Sequence, residues 1–163
     1  MSTDLLPKSR LELIVDNLEA TFAEIDGVVG VTSEEPAEDG PGSYQQTELP
    51  HVWFFEQGET PLKWENNRRR YRQSFVAVLI FDAEEPRQVR RTGRRFMALM
   101  QTELVKDTTR GVDANTLTHA QDTYESGSAI GTLPEKGKGV CRIDFDVEYV
   151  RGVKSAFVRG DEA

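Results

Sequence analysis

The apolar positions of this chain change their period twice, and each regime predicts a different element. Over residues 8–25, Leu11, Ile14, Val15, Leu18, Phe22 and Ile25 recur at spacings of three and four. That places them on one face of a helix, with Glu12, Asp16, Asn17, Glu19 and Glu24 turned outward. Pro7 and Asp26-Gly27 bound it. Over residues 73–81, Gln-Ser-Phe-Val-Ala-Val-Leu-Ile-Phe, nearly every position after Ser74 is apolar. Such a run predicts a central strand that meets protein on both faces. A buried helix is the rival, but the run is short, β-branched and bounded by Arg72 and Asp82. Over residues 141–149 the alternation is strict. Cys141, Ile143, Phe145, Val147 and Tyr149 share one side, and Arg142, Asp144, Asp146 and Glu148 the other. This predicts a half-buried strand with an acidic outer side.

Between these anchors the signals are shorter. Val28-Val29-Gly30-Val31 reads as a short strand, and residues 49–57 as another, with His51, Trp53 and Phe55 opposite Val52 and Phe54. Residues 32–47, with Pro36 and Gly40-Pro41-Gly42, read as a loop, and residues 58–67, with Pro61 and Asn66-Asn67, as a second long connection. Arg68-Arg69-Arg70-Tyr71-Arg72 feeds the central strand, with Arg68, Arg70 and Arg72 on one side. Pro86 opens a second helix reaching about Lys106. Its expected buried side is Val89, Phe96, Leu99, Met100 and Leu104, with Gly93 near the stripe. Residues 108–133 carry little pattern: 116–118 and 122–124 are edge strands or irregular. Residues 133–139 are turn-rich, and residues 1–7 and 151–163 read as tails around an ordered core of about 8–150. The sum is a single α+β domain over 1–163, a mainly antiparallel sheet packed with two main helices.

Composition narrows the classes. The chain has 163 residues and a formal charge of −8, long enough for one cored domain. No apolar run approaches the roughly 20 residues of a membrane span, which predicts a soluble protein without a membrane partner. Cys141 is the single cysteine, so no intramolecular disulfide can form, and with only His51 and His119 beside it a structural zinc site is not expected. The charge is uneven: residues 63–95 hold ten Lys/Arg against four Asp/Glu, a net of +6, so the rest carries −14. Opposed surfaces of this kind suit packing between copies.

No phosphate-binding loop, dinucleotide fingerprint, nucleophile elbow or zinc-protease motif occurs, and the expectation is a non-enzyme with no catalytic residue, cofactor or metal. Asp144, Asp146 and Glu148 at i, i+2 and i+4 resemble metal ligands superficially. A solvated face or a contact with arginines accounts for them more simply. Arg87, Arg90, Arg91, Arg94 and Arg95 crowd the N-terminal half of the second helix, where the helix dipole disfavours positive charge. They read as a solvated face or as a contact surface for acidic protein or DNA phosphates, the chain's own acidic excess favouring protein.

The order of elements resembles that of the tail terminator (tail-completion or neck) proteins of long-tailed bacteriophages. The parts that carry it are the helix over 11–25 followed by Gly27-Val28-Val29-Gly30-Val31, then Glu48-Leu49-Pro50-His51-Val52-Trp53-Phe54, the arginine-led strand over 72–81, the helix over 86–106 and the closing strand ending Val147-Glu148-Tyr149. The resemblance spans about residues 11–149. It implies a non-enzymatic virion protein of the tail or neck, made in the host cytoplasm and assembled as a ring, usually a homohexamer. The ring caps the tail tube, ends its polymerisation and faces the head-side connector, with DNA only passing through its lumen. Combined with the charge pattern, it makes Arg68, Arg70, Arg90, Arg91, Arg94 and Arg95 of one subunit candidates to face Asp144, Asp146 and Glu148 of the next. Another neck or connector subunit, a tail assembly chaperone, a nucleic-acid-binding module and an enzyme remain as alternatives.

Overall fold

The computed structural model describes residues 8–33, 49–65, 68–112, 117–132 and 137–152. Residues 34–47 of the loop expected at 32–47, residues 1–7 and 153–163 of the expected tails, and 133–136 of the turn-rich stretch lie outside them. Thr32, expected in the loop, ends β1, and Arg151 and Gly152, expected in the tail, end β5 because the ladder with β3 runs on to Arg68. The elements run α1 (Arg10–Ala23), β1 (Gly30–Thr32), β2 (His51–Glu65), β3 (Arg68–Asp82), α2 (Pro86–Lys106), β4 (Asp122–Thr132) and β5 (Lys138–Gly152). They form an α+β fold with one five-stranded sheet of order β1-β2-β3-β5-β4. All pairs are antiparallel except β1 with β2. The central position of β3 follows from its sequence: with a protein neighbour on both edges and both faces, a nearly continuous apolar run is stable there.

Helix α1 starts one turn-signal later than Pro7. Ser9 is the N-cap, its hydroxyl accepting from the Glu12 amide at 3.1 Å while the Glu12 carboxylate accepts from the Ser9 amide. This reciprocal pair satisfies two amides that the first turn leaves open. Arg10, Ile14, Leu18 and Phe22 are the buried positions of the helix. Helix α2 has the expected bounds, with Pro86 in its first turn and Lys106 in its last. Its buried line is Val89, Gly93, Met97, Met100 and Leu104; Phe96 and Leu99, expected inside, are half-buried at its rim. Both helices pack on one face of the sheet. There Phe22 meets Phe54 and Phe145, and Phe145 stacks on Phe75 with ring centres 5.3 Å apart. Val52, Ala77, Leu79, Cys141, Ile143 and Val147 complete this core. On the other face Leu49, Trp53 and Ile80 form a smaller buried cluster.

Two close approaches require glycine. A Cβ on Gly139 would lie 2.5 Å from Cζ of Phe81, its ring partner directly across the β3–β5 ladder. Gly93 lets α2 settle onto the sheet, where the Cys141 thiol donates to the Gly93 carbonyl at 3.1 Å. Burial pushes that thiol up to about 12, the behaviour of a packed side chain and not of a thiolate nucleophile. Gly139→Ala should cost about 1–3 kcal/mol, because the Phe81 ring is itself buried and has to leave its rotamer. Urea unfolding checks this, and a change within a few tenths of a kcal/mol would contradict the contact.

The region expected to be a connection at 58–65 is strand instead. β2 continues through Glu65 against β3, with register shifts between Glu56 and Gly58 and between Pro61 and Trp64. The shifts pass over Gln57 and Leu62-Lys63 in the register, while Gly58 and Pro61 stay opposite Ser74 and Tyr71. β1 reaches only Trp53, so among the described residues the far edge of β2 is open beyond that point, and Pro61 forfeits no ladder hydrogen bond there. The buried Gln73 amide donates to the Gly58 carbonyl at 3.0 Å, satisfying an acceptor the bulge exposes. The resulting hairpin is about 50 Å long at 3.3 Å per residue. At its far half Trp64 is 56 % exposed under the Arg69 guanidinium. Residues 122–132, expected to be at most a short edge strand, form the whole of β4 along β5.

Beyond α2 the chain turns back on Arg110, which is fully buried with φ 56°. Its guanidinium donates to the Leu104 carbonyl at 2.5 Å and to the Asp107 carbonyl. Those are among the last carbonyls of the helix, which have no partner within it. The Asp107 carboxylate in turn accepts from the amides of Thr109 and Gly111.

Candidate functional site

The most distinctive surface is the outer face of α2. Arg87, Arg90, Arg91 and Arg94 fall at i, i+3, i+4 and i+7, which sets them in one stripe. All four are exposed, and with Pro86 they line an open recess of about 590 Å³. Arg95 is exposed too, one position further round. None of the five makes an ion pair with a described residue. The first turn holds no acidic side chain, and the N-cap Glu85 makes no side-chain capping bond. Four guanidinium groups therefore gather beside the positive end of a helix without local compensation. Arg87, in the first turn, opposes the helix dipole at a cost on the order of 0.3–1 kcal/mol, and along the stripe the like charges at i, i+3 and i+4 repel one another until an anion approaches.

The acidic candidates lie on the opposite layer. Cys141, Ile143, Phe145 and Val147 point toward the helices, so Asp144, Asp146 and Glu148 point to the far face of the sheet. Each has a neighbour inside the chain. Arg142 reaches Asp144 at 2.8 Å, the Ser74 hydroxyl donates to Asp146 at 2.6 Å, and Arg70 lies 3.7 Å from Glu148. Of the candidate residues, then, the chain brings together only Arg70 and Glu148, through the β3–β5 ladder. Arg68 sits at the start of β3 opposite Gly152, and Arg90, Arg91, Arg94 and Arg95 stand across the sheet from the carboxylates. Among the described residues no group of three or more His, Cys, Asp or Glu is placed to hold a metal ion.

A third cluster, absent from the sequence-based candidates, ties the hairpin to β5. Tyr71 stacks on Tyr149 with ring centres 5.9 Å apart, and the Arg151 guanidinium lies 3.7 Å above Tyr71. The Tyr149 hydroxyl donates to Glu59, which also pairs with Arg151 at 3.4 Å. Burial, then the Glu59 hydrogen bond and charge, hold the phenol protonated well above its usual range. This is a fastening with every polar group engaged, not a reactive centre. Its only sequence signal was Tyr149, on the apolar side at the end of the alternating run.

No family model matches the chain, and no curated protein matches it. Among solved structures it is similar to a chain of the virion of a native gene transfer agent particle, at 12% identity and a TM-score of 0.42, over 88% of this chain and 92% of that one. So distant a likeness says nothing of what this chain does.

Proposed function

We propose that this chain is a structural subunit of a tailed-phage virion that closes head to tail into a ring, a homohexamer, on the end of the tail tube. There it would end tube polymerisation and present a joining surface to the head-side connector. The order of elements supports the reading, and one observation carries it: the arginine face of α2 and the acidic face of the sheet belong to opposite layers of one chain. They cannot meet within a subunit, yet they face complementary ways for a heterologous contact, which closes into a ring when the rotation permits. Asp144, whose side chain remains 38% exposed against 18% for Glu148, is the more open of those two carboxylates to such a contact. The outer edge of β4, unpaired among the described residues, offers a second means of joining neighbours.

Light scattering over a concentration series at low and moderate salt tests this. The parent chain is expected to give a discrete ring mass, or to close into one as concentration rises. Arg91→Glu with Arg94→Glu should move the mass to monomer while leaving the thermal transition within a few degrees, since both side chains are exposed. An unchanged assembly in that variant would remove the α2 face from the contact. A chain monomeric throughout that binds short DNA, with affinity falling steeply as salt rises, would replace the reading with a nucleic-acid-binding one.

A further inference from the structure

A second, smaller recess lies at the end of the sheet where α1 begins. It measures about 70 Å³ and is lined by Arg10, Arg68, Thr118, His119 and Gln121, with Leu117 and Val150. Arg10 is only 8 % exposed. Its guanidinium donates to the Thr118 carbonyl at 3.1 Å, which occupies one of five N–H groups. Neither Arg10 nor Arg68 pairs with a carboxylate among the described residues, and none of the described lining residues is acidic. The other deeply buried arginine differs: Arg110 has two carbonyls on its guanidinium and the Asp107 charge beside it. A buried cation is ordinarily compensated by an opposite charge, because desolvation is too costly otherwise. Among the described residues no carboxylate supplies that compensation at Arg10, while an adjoining space remains.

We propose that this recess is a binding site for one small tetrahedral oxyanion of the phosphate type, held by Arg10 and Arg68. The volume is several times what a single water needs, and the planar fork of a guanidinium matches two oxygens of such an anion. Waters could fill the space and satisfy hydrogen bonds, but they would leave both charges uncompensated. The site is independent of the α2 stripe, which lies on another element and is exposed.

The test is thermal unfolding of the full chain in inorganic phosphate against chloride at matched ionic strength and pH. Phosphate also stabilises proteins generally, by exclusion from their surfaces, and that effect grows without saturating. A bound anion adds a saturable term. The parent should therefore show a saturating rise in Tm of roughly 2–4 °C. Arg68→Gln, at a half-exposed position, should keep the fold and lose the saturating part. Lys106→Gln, at an exposed position in the last turn of α2, should keep it. Absence of any saturating rise, or an equal rise in Arg68→Gln, would overturn the proposal. Arg10→Gln is the more direct variant but removes a buried contact, so the decision rests on Arg68.

Discussion

Phe145→Ala should lower the unfolding free energy by about 3–5 kcal/mol, the largest loss expected from a single truncation here. The ring is 0 % exposed at the centre of β5. It stacks on Phe75 of β3 at an interplanar angle of 11° and meets Phe22 of α1 edge-on at 66°. Its removal opens a cavity among three elements that cannot all close in, since β3 and β5 are held apart by their ladder. A typical domain of this size is stable by only 5–15 kcal/mol, so the variant would be marginal. Phe96→Ala, at the half-buried rim of α2, is the control and should cost far less. Urea unfolding of both gives the comparison, and a loss at Phe145 no greater than at Phe96 would mean the core is not closed around that ring.

Arg110→Ala comes second, at about 2–4 kcal/mol. Burying a guanidinium is itself costly, and Asp107 and the Leu104 carbonyl offset that cost. Taking the side chain away strands the buried Leu104 carbonyl, leaves the Asp107 carbonyl with the residue 110 amide alone and puts alanine at a left-handed φ, so the loss dominates. Arg110→Met, which fills the volume without the hydrogen bonds, should fall between parent and alanine. Equal stability of all three would show that the cap contributes nothing. The same turn has a pH signature. Burial alone would raise the Asp107 carboxyl, but hydrogen bonds from Thr109 and Gly111 with the Arg110 charge bring it below the usual carboxylate range. Its contribution is present above the unfolded carboxylate value and is lost as pH falls through the folded one. Acid titration of the parent should show that loss.

The parts of the fold that could be read from the sequence are those where one local pattern acts alone. Residues 141–149 alternate because one face is dry, and Pro86 and Lys106 mark α2 by the preferences of helix ends. The capping box at Ser9 and Glu12 was equally visible and sets the start of α1 better than Pro7 does. Met97 was missed and Phe96 overplaced because a shift of one residue turns a helix by about 100°, and a large aromatic invites the wrong choice. Residues 58–65 and 125–132 could not be read as strand. Gly58, Pro61, Gly127 and Gly131 have poor strand preference, and pairing with β3 and β5 overrides it. The arginine stripe of α2 was legible from spacing. The Arg70–Glu148 contact was not, because it exists only once β3 and β5 are neighbours. Arg10 and Arg110 gave no periodic signal, and only their burial sets them apart from other arginines.

The two flanks of β3 are reached by very different routes. β2 arrives through residues 66–67 alone, whereas β5 arrives only after residues 83–137 have been laid down. Closing the first is a local step and closing the second a distant one, with the greater loss of chain entropy before any contact rewards it. The hairpin can therefore form while β3 still shows a bare, strongly apolar edge to whatever is nearby. A nascent or truncated chain that stops short of Lys138 would keep that edge open, with the core side of Phe75 and Leu79 unroofed. For this fold the last strand to be synthesised is the one that separates a folded subunit from an aggregation template.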